Sequence, residues 1–150
     1  MRDLLIAFSL LATATPASAA LGGDVASVEA DRVHIQGALT NIVRTDRYTV
    51  HEMRSSTGTT IREYVSSDGK VFAVSWKGPF LPDLRQVLGD YFAAYQTEAR
   101  RVREGRRARG PLAIDTGDLT VVASGHTRSF TGRAIANRLM PAGFDKNTIQ

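Results

Sequence analysis

The chain contains no cysteine. That absence removes several classes of function at once. No disulfide can offset a small core, no thiolate can hold a metal, and no cysteine can act as a nucleophile. Nor is there a sulfur to carry a lipid at a processing site of the bacterial lipoprotein kind. Histidine is almost as scarce. His34, His51 and His126 are scattered, none stands at metal-ligand spacing, and no H-E-x-x-H occurs. His51 and Glu52 are adjacent, which in a strand sends their side chains to opposite faces. Walker loops, dinucleotide fingerprints and the G-x-S-x-G elbow are also missing. Ser124-Gly125-His126 is too common a tripeptide to mark a nucleophile. These absences predict neither a resident metal nor a cofactor.

What is present starts with a leader-like N-terminus. Arg2 opens a short basic region, Leu4 to Ala14 is an unbroken run of apolar and small residues, and Ala17-Ser18-Ala19 has the small-x-small form of a signal-peptidase site. The run falls well short of the roughly 20 residues that cross a bilayer, and Pro16 follows it. The expectation is an export signal over residues 1–19, cut after Ala19, and a periplasmic or secreted product with no membrane span. Residues 20–150 then form one domain. Arg2 and Asp3 leave together, so the net charge of +4 is unchanged by cleavage.

In the mature part, Asp24 or Ser27 is suited to cap a short helix that Gly37 ends. Tyr48 to Arg54, Thr59 to Ser66 and Lys70 to Trp76 are rich in β-branched and aromatic residues. Turn-like Ser55-Ser56-Thr57-Gly58 and Ser67-Asp68-Gly69 separate them. With Asp68-Gly69 as a two-residue turn, Val65 faces Phe72, Glu63 faces Val74 and Ile61 faces Trp76. With Thr57-Gly58 central, or a four-residue loop about it, Val50 faces Val65 and Glu52 faces Glu63. A slip of one residue would exchange the faces. After Gly78-Pro79-Phe80-Leu81-Pro82 the apolar spacing becomes helical from Leu84 through Tyr95 to Val102. Asp83 sits at the positive end of that helix, and Gly89 weakens its middle by about 1 kcal/mol against alanine. Leu119 to Ser124 and Thr127 to Gly132 read as a C-terminal hairpin turning at Gly125-His126, with a short helical turn over Ala134 to Leu139. The predicted fold is α+β: an antiparallel sheet of about five strands, a three-stranded meander plus the C-terminal hairpin, with one long amphipathic helix packed on one face.

Three features could carry chemistry. Glu52 opposite Glu63 would place like charges face to face, which is unfavourable unless the pair shares a proton or an arginine lies between them. Adjacent strands hold carboxyl groups near the ~5–5.5 Å of retaining glycosidases, so a hydrolase acting on wall polymers or glycans is one reading. Arg62 and Tyr64, on the opposite face in this register, and Trp76 at the end of its strand are the other candidate ligand-binding residues. Arg100, Arg101, Arg103, Arg106, Arg107 and Arg109 form a basic run that could bind an anion or could simply be a solvated helix end. No stacking aromatics interleave the run, and an exported protein rarely meets nucleic acid, so nucleic acid is disfavoured as a partner.

Leu21-Gly22-Gly23-Asp24, Arg62-Glu63-Tyr64-Val65, Gly69-Lys70-Val71-Phe72, the continuation to Pro79, and Leu88-Gly89-Asp90-Tyr91-Phe92 have a further meaning together. So does Ser124-Gly125-His126-Thr127-Arg128-Ser129-Phe130. They resemble a family of short exported proteobacterial proteins known only as a domain of unknown function. The likeness covers nearly the whole mature chain and implies a single-domain exported bacterial protein. It implies no activity, ligand or catalytic residue. The expected function is that of a non-enzymatic binding or accessory module of the envelope, with an envelope protein or a peptide as partner. The carboxylate-pair hydrolase and the arginine-based anion binder are the alternatives.

Overall fold

Two turns with the same opening, Ser55-Ser56-Thr57-Gly58 and Ser66-Ser67-Asp68-Gly69, set the register of the sheet. In the structure, a computed structural model describing residues 21–34, 36–105 and 110–149, each glycine N–H donates to the carbonyl of the first serine at 2.9 Å. The ladder closes one residue later: Ser55 N–H donates to Thr59 O at 2.9 Å, and Ser66 N–H to Lys70 O at 2.8 Å. Each loop therefore holds three residues and ends on a glycine at positive φ, 88° for Gly58 and 76° for Gly69. This is the arrangement three-residue hairpins favour. The expected leader, and Arg106, Arg107 and Arg109, lie outside the described residues.

A three-residue loop, in place of the expected two- or four-residue loop of the first hairpin and two-residue turn of the second, shifts the register of both. Between β2 (Tyr48–Arg54) and β3 (Thr60–Ser66), Glu52 stands opposite Arg62, His51 opposite Glu63 and Val50 opposite Tyr64. The expected Glu52–Glu63 and Val50–Val65 pairs do not form. Between β3 and β4 (Val71–Gly78), Val65 meets Val71 instead of Phe72. Phe72 is then absorbed as a bulge, which restores the expected Glu63–Val74 and Ile61–Trp76 pairs. The bulge also turns Phe72 to the face opposite Val71 and Val74.

Among the described residues the sheet has seven strands, all antiparallel, in the order β1-β2-β3-β4-β7-β6-β5. The two strands beyond the expected five are its edges, β1 (Ala38–Arg44) and β5 (Leu112–Asp115). Nearly every residue of β1 is exposed, so no apolar alternation announces it, and β5 is only four residues long behind Gly110-Pro111. Strands β6 (Leu119–His126) and β7 (Ser129–Ala136) run further than expected. Gly125 and His126 belong to the ladder, the turn falls at Thr127-Arg128, and Ala134 to Ala136 continue the strand instead of starting a helix.

Helices cover one face. Asp24 accepts from the Ser27 N–H at 3.1 Å at the start of α1 (Val25–His34). The expected long helix is divided at Gly89 into α2 (Leu84–Leu88) and α3 (Phe92–Gly105), joined by a 3-10 turn. Gly89 has φ 49° and ψ −125°, a region that glycine alone enters readily. Asp83 caps α2, accepting from the N–H groups of Arg85 and Gln86 at 2.9 and 3.4 Å. Val87, Leu88, Tyr95 and Ala99 from these helices pack on Met53, Ile61, Val74 and Trp76 of the sheet.

The opposite face has its own core. Tyr64, Phe72, Ala73 and Ile135 are covered there by Phe144 and Ile149 of the C-terminal segment. Phe144 meets Phe72 and Tyr48 edge to face, with centroids 4.9 and 5.2 Å away. Among the described residues no helix is long and apolar enough to cross a membrane.

Trp76 is the largest fully buried side chain, and its ring lies on the bare backbone of its cross-strand partner Gly132. A Cβ at Gly132 would lie 2.3 Å from Trp76 Cζ2. The indole N–H meets no acceptor among the described residues, so close packing holds the ring. Gly132→Ala is expected to lower unfolding stability in urea by about 2–3 kcal/mol, the effect of forcing one carbon into a filled core. A loss under about half a kcal/mol would show that the ring has room to move away.

Candidate functional site

The corrected register decides which of the expected site residues meet. Glu52 and Glu63 lie on opposite faces of the sheet, so no carboxylate pair exists to share a proton. Glu52 instead takes the Arg62 guanidinium, with Nε 2.6 Å from Oε2, on the face away from the helices. Glu63 is buried, 2% exposed, under the helical layer between His51 and Val74. Tyr64 is part of the second core, and Trp76 part of the first. Of the five candidate ligand-binding residues, Arg62 and Tyr64 lie, as expected, on the face opposite Glu63 and Trp76, while Glu52 joins Arg62 and Tyr64 there; Glu63, Tyr64 and Trp76 are buried.

The arginine run is divided as well. Arg101 is bound to Glu98 on α3 at 2.8 Å. Arg100 and Arg103 line a shallow hollow formed by α3 residues, among them Phe92 and Tyr95. Among the described residues no group of three or more His, Asp or Glu could hold a metal ion.

One concave feature of the fold, lined on both sides by apolar residues, lies between α3 and the β5-β6-β7 end of the sheet. In register, Trp76, Gly132, Ala123 and Leu112 form one row across β4, β7, β6 and β5; Gly78, Phe130 and Gly125 form the next. Phe130 repeats the arrangement of Trp76. It lies on its partner Gly125, where a Cβ would fall 2.6 Å from its Cδ1. Small residues therefore keep the sheet low here, and a cleft of about 310 Å³ remains beneath the helix. Leu84, Tyr95, Val102, Leu112 and Phe130 make it apolar, and Arg103 brings a cation to it. Burial pushes the Tyr95 phenol above its ordinary value of 10, while the charge of Arg103 pulls the other way. The guanidinium is thus near enough to act on the hydroxyl.

Among the described lining residues there is neither a carboxylate nor a histidine. The described walls of the cleft offer an incoming group apolar contact and one cation, Arg103. Sequence reasoning missed its apolar walls. The signal that could have found them is the recurrence of small residues, Ala123, Gly125 and Gly132, in strands otherwise rich in valine and threonine.

The histidine of the helix-covered face has a definite electrostatic setting. Burial first, and the Arg44 charge second, hold the His51 imidazole below its ordinary value of 6.5. The native state therefore binds its proton less readily than the unfolded chain. The stability this group contributes is complete above about 6.5 and is lost as pH falls through the lower native value. An NMR titration of His51 should give a midpoint below 6.5. A midpoint above it would mean that Glu63, its register partner, outweighs burial and Arg44.

Comparison with curated proteins and with solved structures gave no match. A family model does match, over residues 17–149, with the description "Protein of unknown function (DUF2844)". That span takes in every strand and helix described above, and the chain is a member of this DUF2844 family.

Proposed function

We propose that this protein is a non-enzymatic binding module of the cell envelope, and that its cleft between α3 and the β5-β6-β7 end receives an apolar group carrying negative charge. The observation that carries the reading is the chemistry of the cleft: apolar walls, a floor of small residues and, among the described residues, one arginine. Pockets that are largely apolar with a few fixed polar groups are the usual form of a ligand site. The separation of Glu52 from Glu63 removes the geometry a carboxylate-pair hydrolase needs. Capture of a peptide by strand addition is less well supported, because the ladder of the exposed edge β1 is irregular between Leu39 and Asn41. Such bulges blunt edge pairing.

Location rests on the leader. N-terminal sequencing of the accumulated protein should begin at Ala20 or Leu21, in the periplasmic or extracellular fraction. An intact N-terminus in the cytoplasm would contradict the envelope reading.

Binding can be followed with anilinonaphthalene sulfonate, an apolar dye with one negative charge. Saturable binding to the native protein is expected. Ala123→Leu, which fills the floor, and Arg103→Ala, which removes the charge, should each weaken it about tenfold, or about 1.4 kcal/mol. Binding unchanged in both folded variants would place the dye elsewhere and overturn the assignment of the cleft.

A further inference from the structure

Beside the cleft the chain makes a tight corner, Gly78-Pro79-Phe80-Leu81-Pro82, which presents two large apolar side chains to solvent. Phe80 is 53% exposed and Leu81 49%. The corner is held rigidly. Thr59, buried to 1% exposure, donates its hydroxyl to Phe80 O at 2.7 Å and accepts from Phe80 N–H at 3.4 Å. Gly78 lies so close that a Cβ there would sit 2.5 Å from Thr59 Cα. With the backbone fixed on both sides, Phe80 and Leu81 cannot fold back into the core.

Cations surround the corner. Lys77, exposed at the end of β4, immediately precedes it. Arg54 Nη2 and Pro79 Cγ both lie within about 4 Å of the Cβ position of Gly58, which brings that guanidinium beside the corner. Arg103 shares the cleft lining with Leu81. The nearest acid in sequence, Asp83, has its carboxylate engaged by the α2 N–H groups.

We infer that this corner docks the protein on an anionic lipid surface, Phe80 and Leu81 entering the acyl boundary while Arg54, Lys77 and Arg103 meet the headgroups. Apolar side chains projecting from a basic rim are the composition that interfacial binding requires, and each basic residue adds attraction to an anionic leaflet. Leu81 also borders the cleft, so docking brings the cleft mouth to the lipid. The docking itself does not depend on the cleft holding a ligand.

The test is co-sedimentation of the purified protein with vesicles of phosphatidylcholine alone and of phosphatidylcholine with about a third phosphatidylglycerol. Binding is expected to the anionic vesicles only, weakening as salt is raised. Phe80→Ser with Leu81→Ser, both exposed positions, should reduce it about tenfold or more, and Arg54→Glu with Lys77→Glu about as much. Circular dichroism checks that each variant is folded. Ala123→Leu should leave vesicle binding within about twofold even where it abolishes dye binding, which separates failure of the cleft reading from failure of this one. Equal binding to both lipids, no binding, or indifference to the corner variants would overturn the inference. So would a corner variant that loses concentration-dependent self-association in sedimentation velocity, because the apolar pair would then belong to a second copy of the chain.

Discussion

The register of β2 against β3 is the constraint on which the rest of the structure depends. Side chains alternate across a strand, so one residue of loop decides which core each β2 side chain joins. In this protein the consequence is unusually large because both faces of the central strands are covered. Glu63 and Tyr64 are neighbours in sequence, yet one lies under the helices and the other under the C-terminal segment. A slip would bring Val50 under the helical layer and carry Met53, which has no exposed surface, out of it. The two Ser-Ser-Xaa-Gly turns prevent this, since the positive φ of each glycine and the paired backbone hydrogen bonds close a loop of one length only.

The outline of this fold was legible because its central elements obey strong local rules. The β-branched runs on either side of the two turns, the proline corner and the apolar period after Asp83 all appear where their chemistry predicts. Ile61 opposite Trp76 and Glu63 opposite Val74 were also readable. They hold, however, through a compensation: the longer loop and the Phe72 bulge offset one another in the second hairpin. The first hairpin has no such bulge, so the same assumption about loop length misplaced Glu52. The shared Ser-Ser-Xaa-Gly opening was the available clue that both loops should be alike. The edges were not legible for a different reason. A strand exposed along almost its whole length, like β1, buries too little to impose a pattern on its sequence.

The candidate site was less visible than the fold, and the physical reason is specific. Searches for chemistry favour charged and aromatic residues, and Glu63, Tyr64 and Trp76 prove to be interior. The cleft arises instead from residues with almost no side chain. Trp76 and Phe130 each occupy the space that a Cβ would fill at Gly132 and Gly125, which flattens two adjacent rows of the sheet beneath α3. Glycine contributes a shape here, and shape cannot be read until strands are paired. Among the described residues of the basic run, Arg103 alone lines this hollow. Its neighbours serve otherwise: Arg101 is tied to Glu98, and Arg100 faces a hollow on the helix itself.

A chain without cysteine permits a direct test of the register, because any disulfide must then be an introduced one. Two double variants separate the alternatives: Glu52→Cys with Arg62→Cys, and Glu52→Cys with Glu63→Cys. Under mild oxidation of the folded protein, the first pair should form an intramolecular disulfide rapidly, since the two positions are directly opposed. The second should remain reduced, its thiols being on opposite faces. Rapid closure of the second pair with failure of the first would contradict the register, and with it the division of the cores and the loss of the carboxylate pair.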